Sequence, residues 1–344
     1  MSGPPLDKPG RRPRYPGLNP RRFDQKYKEL QPDRYAVEVA KVLEAGKTPA
    51  GSHRPIMVGE ILKALQPKPG EVAVDATLGY AGHARELLAA VLPGGRLIGV
   101  DADPIELPRA QARLREMGVP PESITVRRMS FAGLGALLKA EAPEGADVIL
   151  ADLGLSSMQV DDPARGFSFK ADGPLDMRIN PTRGEPASAL LSRLGVAGLA
   201  RILAENADLP DAERVAAAIL GAHAHRPLAT TKALASVVRS AAARSQADDA
   251  IRRVFQAIRI AVNDEFAALD AFLKALPACL KPGGRVAILS FHSGEDRRVK
   301  NAFKLGLSEG AYCSISAEPI RSSAEERRAN PRSTSAKLRH AVKA

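Results

Sequence analysis

Aromatic side chains are scarce in this chain: they make up 4% of its 344 residues, and tryptophan is absent. That shortage excludes a general single-strand binder built on stacking platforms. Cysteine is scarcer still, with Cys279 and Cys313 alone. Such a pair offers neither metal-ligand spacing nor a disulfide framework, so no metal is expected, and reduced thiols fit a cytoplasmic setting. No run of about 18 apolar residues occurs, and the N-terminus lacks the roughly 7–15-residue apolar core of a secretory signal. No membrane association is therefore expected. The strict G-x-G-x-x-G pattern is also missing, because the one candidate turn reads Gly79-Tyr80-Ala81-Gly82.

What is present is a chain long enough for one large domain or two ordinary ones. Hydrophobic residues reach 44%, enough for a sizeable core, and 50 basic against 39 acidic residues leave a formal charge of +11. That surplus points to a polyanionic partner, with nucleic acid ahead of membrane.

The chain is organised around Gly70 to Pro104. Val72-Ala73-Val74 is a short apolar run ending on Asp75. Thr77, Gly79, Ala81 and Gly82 then keep the turn small, and Ala84 to Leu92 carries leucines and a valine at helical spacing. Pro93-Gly94-Gly95 stops that helix, and Leu97 to Val100 restarts a strand that ends on Asp101. A small-residue turn lets a ligand approach the backbone, and the helix behind it offers unpaired N–H groups. An acid at the end of the second strand suits two ribose hydroxyls. A βαβ unit of this kind binds a nucleoside-bearing cofactor. The missing glycine disfavours NAD and an oxidoreductase, and favours S-adenosylmethionine, which has no pyrophosphate.

Upstream, residues 1–49 form a basic, proline-rich extension expected to be disordered or to touch RNA phosphates. Downstream, Pro104 to Met117 reads as a helix and Ile124-Thr125-Val126 as a third strand. Phe131 follows in a loop, either against an adenine or in the core. Asp147 to Ala151 is a fourth strand and ends on Asp152. Acids thus close three strands on the edge where open α/β sheets bind ligands. From Ala187 to about Ala250 the chain reads as short helices, with Val196–Glu205, Asp211–Leu220 and Thr230–Ala243 as candidates. Ile251 to Leu280 reads as one long helix. Arg285 to Ser290 is a fifth strand with Phe291-His292-Ser293 as its exit, then a helix over Glu295–Leu305. The last residues are expected to supply the final strands. In Asn330 to Arg339, alternation sets Lys337 and Arg339 on one face. With Arg332 they read as phosphate contacts or as charges guarding an edge strand.

The segments HRPIMVGEIL, DATLGYAGH, GVDADP, DLGLSSMQVDDPARGFSF, GPLDMR, VFQAIRIAVNDE, ILSFHSGEDRRVK and NPRSTSAKLR run in order from His53 to Arg339. On these segments the chain resembles the bacterial 16S rRNA cytosine-N4 methyltransferases of the RsmH (MraW) family. The resemblance implies an α/β class I (Rossmann-like) S-adenosylmethionine-dependent methyltransferase fold with an inserted all-helical subdomain. Residues 50–165 and 251–344 would form the methyltransferase domain and 166–250 the substrate-recognition insertion. S-adenosylmethionine would donate a methyl group to the N4 amine of a cytidine in the decoding region of 16S rRNA, within the small ribosomal subunit. The oligomeric state stays open between monomer and homodimer.

By position, the resemblance places Ala81, Gly82, His83, Asp101, Phe131, Asp152 and Gln159 at the cofactor. Asp152 and His292 are the catalytic candidates, Asp152 as an acceptor for the amine hydrogens and His292 as a base holder or proton relay. Arg165, Phe167, Arg178 and Arg259 lie in the carrying segments and are candidate substrate contacts, with Arg332, Lys337 and Arg339. Asp176 and Arg178 read equally well as a surface pair. Two positions depart from the family pattern. Ala81 stands where a glycine is usual, which is expected to crowd the cofactor. Gly294 stands where leucine is usual, which is expected to loosen the loop beside His292. A non-enzymatic RNA-binding assembly factor on the same fold is the competing reading, supported by Ala81.

Overall fold

The computed structural model describes residues 55–344; the basic extension expected over 1–49 lies outside the described residues. Helix α1 (Val58–Leu65) leads into β1 (Val72–Asp75), α2 (Gly82–Val91), β2 (Arg96–Asp101), α3 (Glu106–Arg115), β3 (Ile124–Arg128), α4 (Leu134–Glu141) and β4 (Ala146–Asp152). A short helix α5 (Ser157–Asp161) follows, then five helices: α6 (Ala187–Arg193), α7 (Val196–Ala207), α8 (Ala212–His225), α9 (Thr231–Ala241) and α10 (Ala247–Val262). The chain closes with α11 (Glu265–Cys279), β5 (Leu280–Ser290), α12 (Ser293–Ser308), β6 (Tyr312–Ile315), α13 (Ala324–Ala329) and β7 (Lys337–Lys343).

The seven strands form one sheet in the order β3-β2-β1-β4-β5-β7-β6. The first five run parallel, and β7 runs antiparallel to both β5 and β6. Side-chain period two decides how its faces are covered. Val74, Ile98, Ile149, Val286 and Ile288 join Leu134, Leu138, Leu269, Phe272 and Leu276 from α4 and α11. Ala73, Leu97, Val148, Leu150, Ala287 and Leu289 meet α1, α2 and α3 on the other face. Both faces are buried, which explains the near-continuous apolar strand runs. The strand order reverses between β1 and β4, so the crevice opens over Asp75, Asp101 and Asp152.

The helices after β4 have a core of their own, which gathers Phe167, Leu175, Met177, Leu199, Leu203, Ile219, Leu234, Ile251, Val254 and Ile258. Two expectations change here. The long helix read over Ile251–Leu280 is two helices, broken where Asp264 takes a left-handed φ of 50°. Asn263 secures the break: its side chain accepts from Ile179 N (2.7 Å) and donates to Met177 O (2.8 Å) and Arg259 O (2.9 Å). Helix α10, which begins just before the boundary expected at residue 250, packs its apolar side into the helical core, while α11 packs on the sheet. Finally, β7 is an interior strand between β5 and β6, so the edge-strand reading of Lys337 and Arg339 does not hold.

Candidate active site

A cleft of about 840 Å³ lies between the C-terminal ends of β1, β2, β4 and β5 and the helical subdomain. Ligand sites commonly span about 300–1,000 Å³. The β1–α2 turn forms its floor. Here Gly79 N–H donates to Asp101 Oδ2 at 2.7 Å, and Asp103 N–H donates to Asp101 Oδ1 at 2.8 Å. Each oxygen keeps a further lone pair. Burial raises the Asp101 carboxyl above its ordinary value, and the two N–H groups pull it back. Helix α2 begins without a side-chain cap, which leaves its first N–H groups for a ligand. Gly82 has no space for a side chain, since a Cβ there would sit 2.9 Å from Pro55 Cγ.

Ala81 behaves differently from expectation. It takes φ 64°, is fully buried and packs in the core under α2. Its methyl turns away from the cleft, whose lining omits it. The departure therefore costs backbone strain and does not crowd a ligand. The support it lent to a non-enzymatic reading falls with it. Phe131 lies on the cleft wall with its ring edge-on to Phe272, centroids 5.4 Å apart. Gln159 spends its amide on the protein: Oε1 accepts from Ser156 N (2.8 Å) and Nε2 donates to Asp103 Oδ2 (2.6 Å). It lines the cleft, with one amide N–H and one oxygen lone pair not used in these two bonds.

Asp152 lies across from the turn. Its backbone N–H donates to Thr77 Oγ1 at 2.6 Å, which ties the end of β4 to the loop after β1. Its Oδ1 is buried with no partner among the described residues. Oδ2 lies 3.5 Å from His83 Nδ1, and His83 Nε2 lies 2.8 Å from Ile56 O. Burial raises the Asp152 carboxyl from 3.8 to about 7, and the Glu295 charge adds to the rise. Asp75 is likewise raised by burial to about 6, with His83 opposing and Asp152 and Asp101 assisting. His292 caps α12, its Nδ1 accepting from Glu295 N at 3.4 Å, while Nε2 lies 3.3 Å from Glu295 Oε1. Burial works to raise Glu295, but His292, Phe291 N–H and Arg259 hold it below its ordinary value. The loop is not loosened at Gly294: a Cβ there would sit 2.7 Å from Phe266 Cζ, so Phe266 fills the space.

The candidate substrate contacts are mostly committed elsewhere. Arg165 is buried, donating to Asp103 Oδ2 (3.0 Å) and to the carbonyls of Arg178 (3.3 Å) and Ile179 (2.8 Å). Phe167 sits in the helical core. Arg339 is buried on Asp296 at 2.6 Å, joined there by Lys337 at 3.1 Å. These four act as internal ties, because each side chain points to a partner rather than to the cleft. Arg178, Arg259 and Arg332 do line the cleft, but pair with Asp176, Glu265 and Asp161. Arg178 thus forms the pair that was its alternative reading. Sequence reasoning missed Arg183, an exposed cleft residue without an ion pair among the described residues. It missed Asp103 and Asn263 too, whose only signal was their place inside GVDADP and IAVNDE.

A parallel five-strand run extended by an antiparallel seventh strand, with an acid at the tip of β2, is the class I methyltransferase fold. The chain belongs to the MraW methylase family, whose model matches residues 50–344. Ribosomal RNA small subunit methyltransferase H 2 of Alkaliphilus metalliredigens is 47% identical over 346 residues, spanning 98% of this chain and 99% of its own. Ribosomal RNA small subunit methyltransferase H 1 of Lachnoclostridium phytofermentans is 46% identical, spanning 97% of this chain and 93% of its own. Among solved structures, a SAM-dependent O-methyltransferase from Thermotoga maritima is 11% identical with a TM-score of 0.37, covering 83% of this chain and 64% of that one.

Proposed function

We propose that this cleft binds S-adenosylmethionine and transfers its methyl group to the N4 amine of a cytidine in the decoding region of small-subunit 16S rRNA. The observation that carries the reading is Asp152, a strand-tip carboxyl lining the cleft, with Oδ1 buried and Oδ2 left as the acceptor that a ligand in the cleft can meet. An exocyclic amine brings the donors that such an acceptor lacks. The cofactor supplies a methyl group on a sulfonium, already poised to leave. The chain's own residues have to hold the two reactants in line, which is where most of the rate comes from.

The donor set fits the cofactor. Asp101 keeps lone pairs for the ribose hydroxyls, the open N–H groups of Gly82 and His83 suit a carboxylate, and Phe131 with Met129 offers an apolar wall for adenine. On the acceptor side, Asp152 and the adjoining loop take the amine hydrogens and draw the nitrogen lone pair out of conjugation with the ring. Glu295, anchored by Phe291 N–H at 2.9 Å, keeps His292 over the same space. Arg183 stands at the exposed side of the cleft, where a phosphate beside the acceptor nucleotide would pass.

Calorimetric titration followed by a methylation assay tests the reading. The purified protein is expected to bind S-adenosylmethionine and not NAD, and to carry a labelled methyl group into the rRNA of purified small subunits. Binding of NAD, or binding of neither, would overturn it.

A further inference from the structure

His83 has one nitrogen with a settled role. Nε2 faces the carbonyl of Ile56 at 2.8 Å, and a carbonyl can only accept, so Nε2 carries a hydrogen in either charge state. In the neutral ring Nδ1 is then a bare acceptor, and it faces Asp152 Oδ2 at 3.5 Å. Two acceptors confront each other with no hydrogen between them. The His83 side chain is 9% exposed and that of Asp152 27%, and none of the latter's exposure is at Oδ1. Oδ2 is thus the oxygen available to the cleft, and it is also the one that meets His83.

The other groups around the pair are acids. Asp75 ends the neighbouring strand beside His83, Asp101 stands one strand further, and Glu295 faces Asp152 from α12. Arg259, which also lines the cleft, acts on Glu295 and pairs with Glu265. The alternative acceptor is already occupied: His292 Nδ1 takes the N–H of Glu295 as a helix cap.

Resting on the methyltransfer reading above, we propose that Asp152 and His83 form a dyad that holds one proton between Oδ2 and Nδ1, and that this proton is the one released by the methylated amine. In the step, the amine nitrogen forms a bond to carbon as the sulfur–carbon bond breaks, and the bonding pair of that bond stays on sulfur. The nitrogen then carries one proton too many. That proton passes to Asp152 Oδ2 and closes the gap to His83 Nδ1, which is a positioning residue. Water entering the cleft with product release takes it away. The raised affinity of Asp152 for a proton near neutrality suits this exchange.

The test has two readouts. The first is nitrogen NMR of the full chain labelled at histidine, titrated without cofactor, with His83 assigned from the His83→Gln spectrum. The His83 Nδ1 signal is expected to differ between the wild-type protein and Asp152→Asn, because the proton shared with Oδ2 is lost in the variant. The second is the pH profile of single-turnover methyl transfer. The rate should rise through about pH 7 to a plateau. In His83→Gln the glutamine amide still donates to Ile56 O, but Oδ2 loses its proton-sharing partner. The rise should then move to lower pH, while Asp152→Asn should lower the plateau roughly 100-fold or more. A His83 Nδ1 signal indifferent to Asp152→Asn, or a rate profile unmoved in His83→Gln, would overturn the dyad. Should the wild-type protein transfer no methyl group to small subunits, the proposed function falls, and the proton source with it. The NMR coupling would still report whether the pair shares a proton.

Discussion

Replacing Asp152 by asparagine should make the protein more stable at alkaline pH while removing its chemistry. The Asp152 carboxyl is raised by burial from 3.8 to about 7. Its folded-state value lies above the unfolded one, so the native state binds the proton more tightly than the unfolded chain does. Between those two values stability therefore falls as pH rises, and above about pH 7 the full penalty is present. The interval is about three pH units at 1.36 kcal/mol each, which sets an upper bound of about 4 kcal/mol. Asparagine is isosteric and uncharged, but it places an amide where Oδ1 has no partner, which gives back about 1–3 kcal/mol. A net gain of about 1–3 kcal/mol at pH 8.5 remains; at pH 4.5, where the wild-type carboxyl is largely protonated and its penalty has fallen to about 1 kcal/mol, the gain vanishes or turns into a loss of up to about 2 kcal/mol. Urea denaturation of both proteins at the two pH values measures it. An asparagine variant less stable than wild type at pH 8.5, or a difference that does not change with pH, would refute the reasoning.

Further outcomes concern the cofactor, the RNA and the internal ties. Asp101→Asn keeps one of the two acceptors now used by Gly79 and Asp103 N–H; it should weaken S-adenosylmethionine by about 1.5–3 kcal/mol, roughly 10- to 150-fold, and a calorimetric change under about threefold in a folded variant would place the ribose elsewhere. Arg183→Ala should reduce the salt slope of RNA binding by about 0.7, as one phosphate contact on a single strand does, with cofactor affinity held; an unchanged slope removes Arg183 from the RNA path. Arg339→Met leaves Asp296 with Lys337 alone and should destabilise the fold by about 3 kcal/mol without changing the RNA salt slope, and a changed slope in a protein of wild-type stability would restore the phosphate role.

Much of the architecture could be read from local pattern. Apolar runs ending on Asp75, Asp101 and Asp152 place three strand tips, and strand tips at a reversal of order place the cleft. Those features follow from side-chain period and from the polarity of single residues. What stayed illegible depends on partners distant in sequence. Arg165 looks like any loop arginine until Asp103 is brought beneath it. Arg339 looks like an exposed strand cation until α12 lays Asp296 against it. The break after Val262 has no proline or glycine to mark it; it exists because Asn263 bonds to backbone groups of Met177 and Ile179. The methyl of Ala81 is equally mute, since its direction is set by a left-handed φ that alanine seldom adopts.

The central claim is that this chain moves a methyl group to the N4 amine of a cytidine in small-subunit rRNA. The most direct test incubates the protein with methyl-labelled S-adenosylmethionine and purified small subunits lacking the modification, digests the rRNA to nucleosides and identifies the labelled one. Label is expected in N4-methylcytidine from a single site in the decoding region, accumulating roughly 100-fold or more slowly with Asp152→Asn. Label in any other nucleoside, or none in a preparation that binds the cofactor, would contradict it.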